Sequence, residues 1–176
     1  MISIRGMIDR FEAFRKECAG IYDIASKVAA DNQDTLLSLN RDQMLLGRNT
    51  DGDLLSPDYL SDPHFKTPEA AKAYADMKSK LESQHNARIQ NPSIYPNKPK
   101  NTPNLIVTGP FQGNMFINVS GRTYNISSTY IDTPDISHKY NDKVFGISPE
   151  SKVFFFNNYI APEFARRLSG IIQKYG

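Results

Sequence analysis

The chain has 176 residues, 39% hydrophobic and 23% charged, with 11 prolines and 10 glycines; that is the make-up of one soluble globular domain, not of a disordered or collagen-like chain. Lys plus Arg number 21 and Asp plus Glu 19, so the net charge of +2 carries no bulk signal for nucleic acid. No apolar run approaches the roughly 20 residues that span a bilayer, the start Met1-Ile-Ser-Ile-Arg-Gly lacks a signal core, and the single Cys18 excludes an internal disulfide or an all-thiolate zinc site.

Residues 1–45 read as one long amphipathic helix. Steps of three and four from Ile4 meet Met7, Phe11, Phe14, Cys18, Ile21, Ala25 and Val28, cross Asn32, and resume at Leu36 and Leu39. Charged residues such as Arg10, Glu12, Lys16 and Lys27 fill the back, and Gly20 weakens the helix by about 1 kcal/mol without ending it. Residues 46–66 are a loop, punctuated by Asn49, Asp51-Gly52-Asp53, Ser56-Pro57 and Asp62-Pro63. A thin-faced, exposed helix is predicted over 67–90, with Thr67 as its cap and Pro68 at its first position.

Four prolines between 91 and 103 (Pro92, Pro96, Pro99 and Pro103) predict an extended arm that orders against a partner. Residues 104–130 are expected to form a small antiparallel sheet, from Leu105–Thr108, Met115–Ser120 and Arg122–Ser128, with a hairpin turn at Ser120-Gly121-Arg122. A loop follows over 131–147. Then come two C-terminal helices over 148–176, one started by Ser148-Pro149 and one opened by Pro162. The expected fold is α+β, one domain over 1–176, with the long N-terminal helix packed on the sheet and further helices in the middle and at the C-terminus.

The residues offer no reaction. His64, His85 and His138 lack metal-ligand spacing, and Cys18 on an apolar stripe reads as a small core hydrophobe. Asn49, Asp51 and Asp53 resemble a calcium loop only until the register is set, when Gly47 falls where the first carboxylate ligand should be and Asp58 where a bidentate Glu should be. The triplets at Asn118 and Asn125 mean nothing without secretion. No catalytic residue, metal or cofactor is expected.

Three segments, taken together, resemble a known family. Leu39-Asn-Arg-Asp-Gln-Met-Leu-Leu-Gly-Arg-Asn-Thr-Asp-Gly-Asp-Leu-Leu-Ser-Pro-Asp-Tyr59 is similar to an N-x-x-Q-L-x-x-G-x-d-x-x-G-x-x-i-x-x-Y stretch. Pro103-Asn-Leu-Ile-Val-Thr-Gly-Pro-Phe-Gln-Gly-Asn-Met-Phe116 is similar to P-x-L-x-x-T-G-x-F-x-x-S. Tyr124 to Glu150, with His138-Lys-Tyr-Asn-Asp-Lys-Val-Phe-Gly-Ile-Ser-Pro-Glu150 at its end, resembles a K-Y-G-x-x-I-F-G-L-s-x-e region. These are patterns of small structural proteins from the neck and tail-assembly genes of tailed bacteriophages, including phages and prophages of gut bacteria. The likeness covers about residues 36 to 176. Pro110, Gly113 and Asn141 depart from it, as does the Pro-rich insert.

The resemblance implies a head-to-tail connector, neck ring or tail-completion subunit, made in the host cytoplasm and located in the virion neck or tail. Its expected partners are copies of itself in a closed ring (dodecamer or hexamer), the portal protein and neighbouring neck or tail proteins, with packaged DNA in the channel as a further contact and no membrane. The loop of Asn49 to Pro63 and the arm over 91–103 would be the contacting segments. Arg48, Asp51, Tyr59, Tyr95, Lys98, Lys100 and Phe111 are the candidate partner-binding residues. The competing readings are a DNA-binding accessory protein, using Arg41, Arg48, Lys98 and Lys100, and a minor capsid or tail-tube component. A phage hydrolase would need a constellation that these residues do not supply.

Overall fold

The computed structural model describes residues 4–121 and 123–175. The helix expected over 1–45 is broken into pieces: α1 (Ile4–Ala19), a 3-10 turn (Gly20–Asp23), α2 (Ile24–Asp31) and α3 (Gln33–Leu45). The first break falls at Gly20, the residue with the weakest helix preference in the run. The second falls at Asn32, whose side-chain amide donates to the Val28 carbonyl at 2.8 Å and so competes with the helical backbone.

At the other end of the chain, α7 (Pro149–Phe155) passes through a π turn (Phe156–Ile160) into α8 (Ala161–Tyr175). Pro162 therefore does not open a separate helix. It has no N–H to give, and the helix widens just before it instead of stopping. These two broken rods run antiparallel. Glu17 meets Lys174 and Tyr175, Gly20 lies against the Arg167 guanidinium, and one shallow cleft is lined by Lys27, Asp31, Tyr159 and Glu163.

The body of the molecule is built on α3. One side of it meets a hairpin of β1 (Met115–Ser120) and β2 (Thr123–Ser128), paired antiparallel from Met115 opposite Ser128 to Ser120 opposite Thr123. Gly121 turns the hairpin at φ +58°, and Arg122 lies outside the described residues. Leu36, Leu39 and Met44 of α3 close on Met115, Ile117 and Ile126 of the sheet, with Val144, Ile147 and Phe155 completing the core. The fold is α+β, and it is α3 that covers the sheet. The first helix, α1, packs instead against α8.

Two expected elements differ. Leu105–Thr108 is not a strand: Leu105 sits at φ +48°, and Gly109 at φ +105° turns the chain into a short helix, α5 (Pro110–Gly113). The loop over 131–147 contains α6 (Thr133–Lys139). Beyond it Asn141, the residue that stands where the resembled pattern has Gly, takes φ +54°, a conformation Asn tolerates better than most side chains.

The arm over 91–103 has no regular element, as expected, but it is packed down rather than free. The Tyr95 hydroxyl hydrogen-bonds Ser148 Oγ and, at 2.8 Å, Ser151 Oγ, while Lys98 pairs with Glu82 at 2.7 Å and Thr102 is buried.

The middle helix, α4 (Pro68–Asn86), starts as predicted, with Thr67 Oγ1 accepting from Ala70 N at 3.2 Å. It buries Ala71, Ala75, Lys78 and His85 and leaves most of its surface exposed.

Leu39 is 0% exposed at the junction of helix and hairpin. Leu39→Ala is expected to lower the unfolding free energy by about 2–5 kcal/mol, read from a denaturant titration, with the midpoint shifting and the slope unchanged.

Candidate interaction surface

The residues of α1 include none that is buried. Its apolar stripe nevertheless keeps the helical spacing that normally buries a face. Ile4 is 80% exposed, Met7 62%, Ile8 54% and Phe11 67%, and on the neighbouring α8 Phe164, Leu168 and Ile172 are exposed as well. Polar and aromatic contacts tie the two helices together from Arg10 to Glu17 of α1. Phe14 meets the Tyr175 ring edge-on at 5.5 Å, Arg10 Nη2 donates to the Lys174 carbonyl, and Glu17 pairs with Lys174. Between the helices lies an apolar trough of about 620 Å³ lined by Met7, Phe11, Phe14, Ile171 and Ile172.

The 3-10 turn, α2 and the π turn join this helix pair to the body. Its outer face is more apolar surface than a soluble monomer ordinarily leaves uncovered.

The residues expected to bind partners are distributed differently. Tyr59, Tyr95 and Phe111 are only 6%, 6% and 4% exposed and belong to the interior. Lys98 is held in its pair with Glu82, with a side chain 7% exposed. Arg48 forms an isolated bridge with Leu54 and donates to the Gly52 carbonyl at 3.1 Å. Asp51 is exposed and pairs with Lys143 at 2.7 Å; Lys100 is exposed. The loop that resembled a calcium site is a turn: Asn49 Oδ1 accepts from the backbone N–H groups of Asp51 and Asp53. Among the described residues, no group of three or more His, Cys, Asp or Glu side chains is placed to hold a metal.

The sequence did not point to Asn104 as a centre of organisation. This residue, 2% exposed, takes a hydrogen bond from Lys78 Nζ at 2.6 Å and one from the Tyr59 hydroxyl on its side-chain oxygen. Its amide donates to His85 Nδ1 at 3.1 Å, so Nδ1 is the acceptor and His85 Nε2 carries the proton toward the Val107 carbonyl. Lys78 also donates to the Ile106 carbonyl and lies 5.6 Å from the centre of the Tyr59 ring.

Burial pushes the Lys78 ammonium down to about 8 and the nearby Lys98 adds to this, with Glu82 opposing; burial likewise lowers His85 and raises the Tyr59 hydroxyl. A cleft of about 460 Å³ opens above this cluster, lined by Tyr74, His64, Phe65, Lys139 and Tyr140. The cluster's hydrogen bonds are all satisfied from within, which makes it a pin between α4 and the segment before α5.

No family model matches the chain, no curated protein is significantly similar to it in sequence, and no solved structure is significantly similar to it in fold. Among the described residues, no helix is long and apolar enough to cross a membrane.

Two outcomes follow from these placements. Phe11→Ser and Ile172→Ser, both on the exposed face, are expected to leave the unfolding free energy of the monomer within about 0.5 kcal/mol of the parent. The folded chain releases the Lys78 proton near pH 8 and an unfolded lysine near 10.5, so between those values the unfolded state holds more protons and stability rises with pH. Denaturant midpoints should therefore climb from pH 8 to about 9.5, below the ~10 at which unfolded tyrosines ionise, and Lys78→Met should flatten that climb.

Proposed function

We propose that this chain is a structural subunit of a tailed-phage particle: a head-to-tail connector, neck-ring or tail-completion protein that works by being assembled. The observation that carries the reading is α1, a 16-residue amphipathic helix without one buried residue, held out on a rigid base with its apolar stripe uncovered. A helix of that kind is a waiting half of an interface.

The kind of particle is supported by the likeness over residues 36 to 176. Asn40, Gln43 and Gly47 of its first segment are all buried and hold the body together, as motif residues of a scaffold would. The reading as a DNA-binding accessory loses support from the engagement of its basic residues. The Arg41 guanidinium donates to the carbonyls of Gln112 and Met115, and Lys98 and Arg48 are committed to internal partners.

The test is made on purified particles. Mass spectrometry and a reconstruction are expected to find this polypeptide at the head–tail junction in a copy number that forms a ring. Particles that mature without it would end the reading, as would turnover of a substrate by the isolated chain.

A further inference from the structure

Lys78 is a buried cation without a carboxylate of its own. Its Nζ donates to two neutral oxygens, Asn104 Oδ1 and the Ile106 carbonyl, beside the Tyr59 ring. The residue is 5% exposed, and among the described residues it forms no ion pair. Glu82, one turn further along α4, is already held by Lys98 at 2.7 Å. A lysine buried this deeply ordinarily has an ionised partner. The two acceptors complete the hydrogen bonding of a neutral amine, but an ammonium has a third N–H and a charge left over.

That charge lies at the floor of a cleft. Lys78, Tyr59, Ile106 and Tyr140 all line the space of about 460 Å³ between α4, the segment before α5 and α6, and all four are buried. Phe65, Tyr74 and Lys139, half-buried, and His64 and Asp132, exposed, form its rim. The rim is matched within itself. Lys139 pairs with Asp62 above the Tyr140 ring, and Asp132 is engaged by the Tyr130 hydroxyl. One positive charge, at the bottom, is left without a counterpart.

We propose that this cleft is a binding site for a small aromatic monocarboxylate, whose anion pairs with Lys78 and whose ring lies among Tyr59, Phe65, Tyr74 and Tyr140. A single unmatched cation calls for a single negative charge, and the paired rim has nothing free for the second charge of a phosphate monoester. A cationic ligand would meet Lys78 and Lys139 together, and a neutral one would leave Lys78 as it is. The ring follows from the walls. Tyr59 packs edge-on to Tyr74 at 5.3 Å and Phe65 is tilted on Tyr74 at 5.1 Å, a surface on which a flat apolar body packs well. The volume lies within the roughly 300–1,000 Å³ of small-molecule sites. Once bound, such an acid touches α4 and α6 together, two helices that the chain joins only through loops.

The experiment uses the full chain, with 2-naphthoate as the probe and 2-naphthamide as a control of similar shape without the charge. Calorimetric titration at pH 7 is expected to show one site per chain for naphthoate, and affinity weaker by about tenfold or more for naphthamide. Inorganic phosphate is expected not to bind. Burial holds the Lys78 proton to about pH 8, so naphthoate affinity should fall by about tenfold or more between pH 7 and 9.5. The other charged or titratable groups around Lys78 and the cleft are Glu82, His85, Lys98, Asp62, His64, Lys139 and Asp132. Lys78→Met separates its contribution from theirs: it should abolish both the preference for the acid and the fall with pH. Phe65→Ala, at the rim, should weaken both probes severalfold and keep the pH dependence, and circular dichroism confirms that each variant folds.

Naphthoate that fails to bind the wild type at millimolar concentration overturns the proposal. So do equal affinities for the acid and the amide, and an affinity that does not change with pH. Phosphate binding as tight as that of naphthoate would make the cleft a general anion site and overturn it too. The wild-type titrations and Phe65→Ala decide the matter even if Lys78→Met does not fold.

Discussion

Three buried polar side chains on α3 hold the loop-rich half of the molecule in place. Asn40, Asp42 and Gln43 are no more than 1% exposed, and each makes its hydrogen bonds mainly to backbone groups far away in sequence. Asn40 Nδ2 donates to the carbonyls of Val144 and Gly146; the Asp42 carboxylate accepts from the backbone N–H groups of Gln90 and Asn91; Gln43 Oε1 accepts from Ser148 N at 2.8 Å. Burying such groups without partners would cost several kcal/mol, so the helix has one register and the loops have one seat. Gly47 extends the same constraint. A Cβ there would come within 2.5 Å of the Thr102 side chain, so the chain leaving α3 must approach the Pro-rich segment without a side chain of its own.

That arrangement explains how a stretch with four prolines is fastened to the body at Tyr95, Thr102 and Pro103 while much of it stays exposed. Proline brings no N–H that needs a partner, so an irregular segment rich in it can pack down with few orphaned donors. The remaining polar atoms are met by side chains: Tyr95 closes on Ser148, the N-cap of α7, and Lys98 on Glu82 of α4. The segment thus straps α4 to α7.

What was legible in the sequence follows from how local its cause is. The Thr67-Pro68 and Ser148-Pro149 starts, the Gly121 hairpin and the α+β class depend on neighbours a few residues away, and each is where the residues place it. The break at Asn32 was hidden because the stripe resumes on the far side of it, and periodicity registers phase but not a side chain that turns back on its own helix. The Pro-rich strap was misread for the opposite reason. Composition showed that no element could form there, but not that Tyr95 and Thr102 would find distant partners. Tyr59, Tyr95 and Phe111 look like contact residues because large aromatics in loops often are, and only the three-dimensional arrangement places them inside.

The apolar stripe of α1 was expected to pack on this chain's own sheet, but α3 covers the sheet and the stripe stays largely exposed beside α8. That difference is where the structure speaks to function. An N-terminal rod that ended in the core would bury its stripe within the chain; this one, lying along α8, leaves Ile4, Met7, Ile8 and Phe11 exposed.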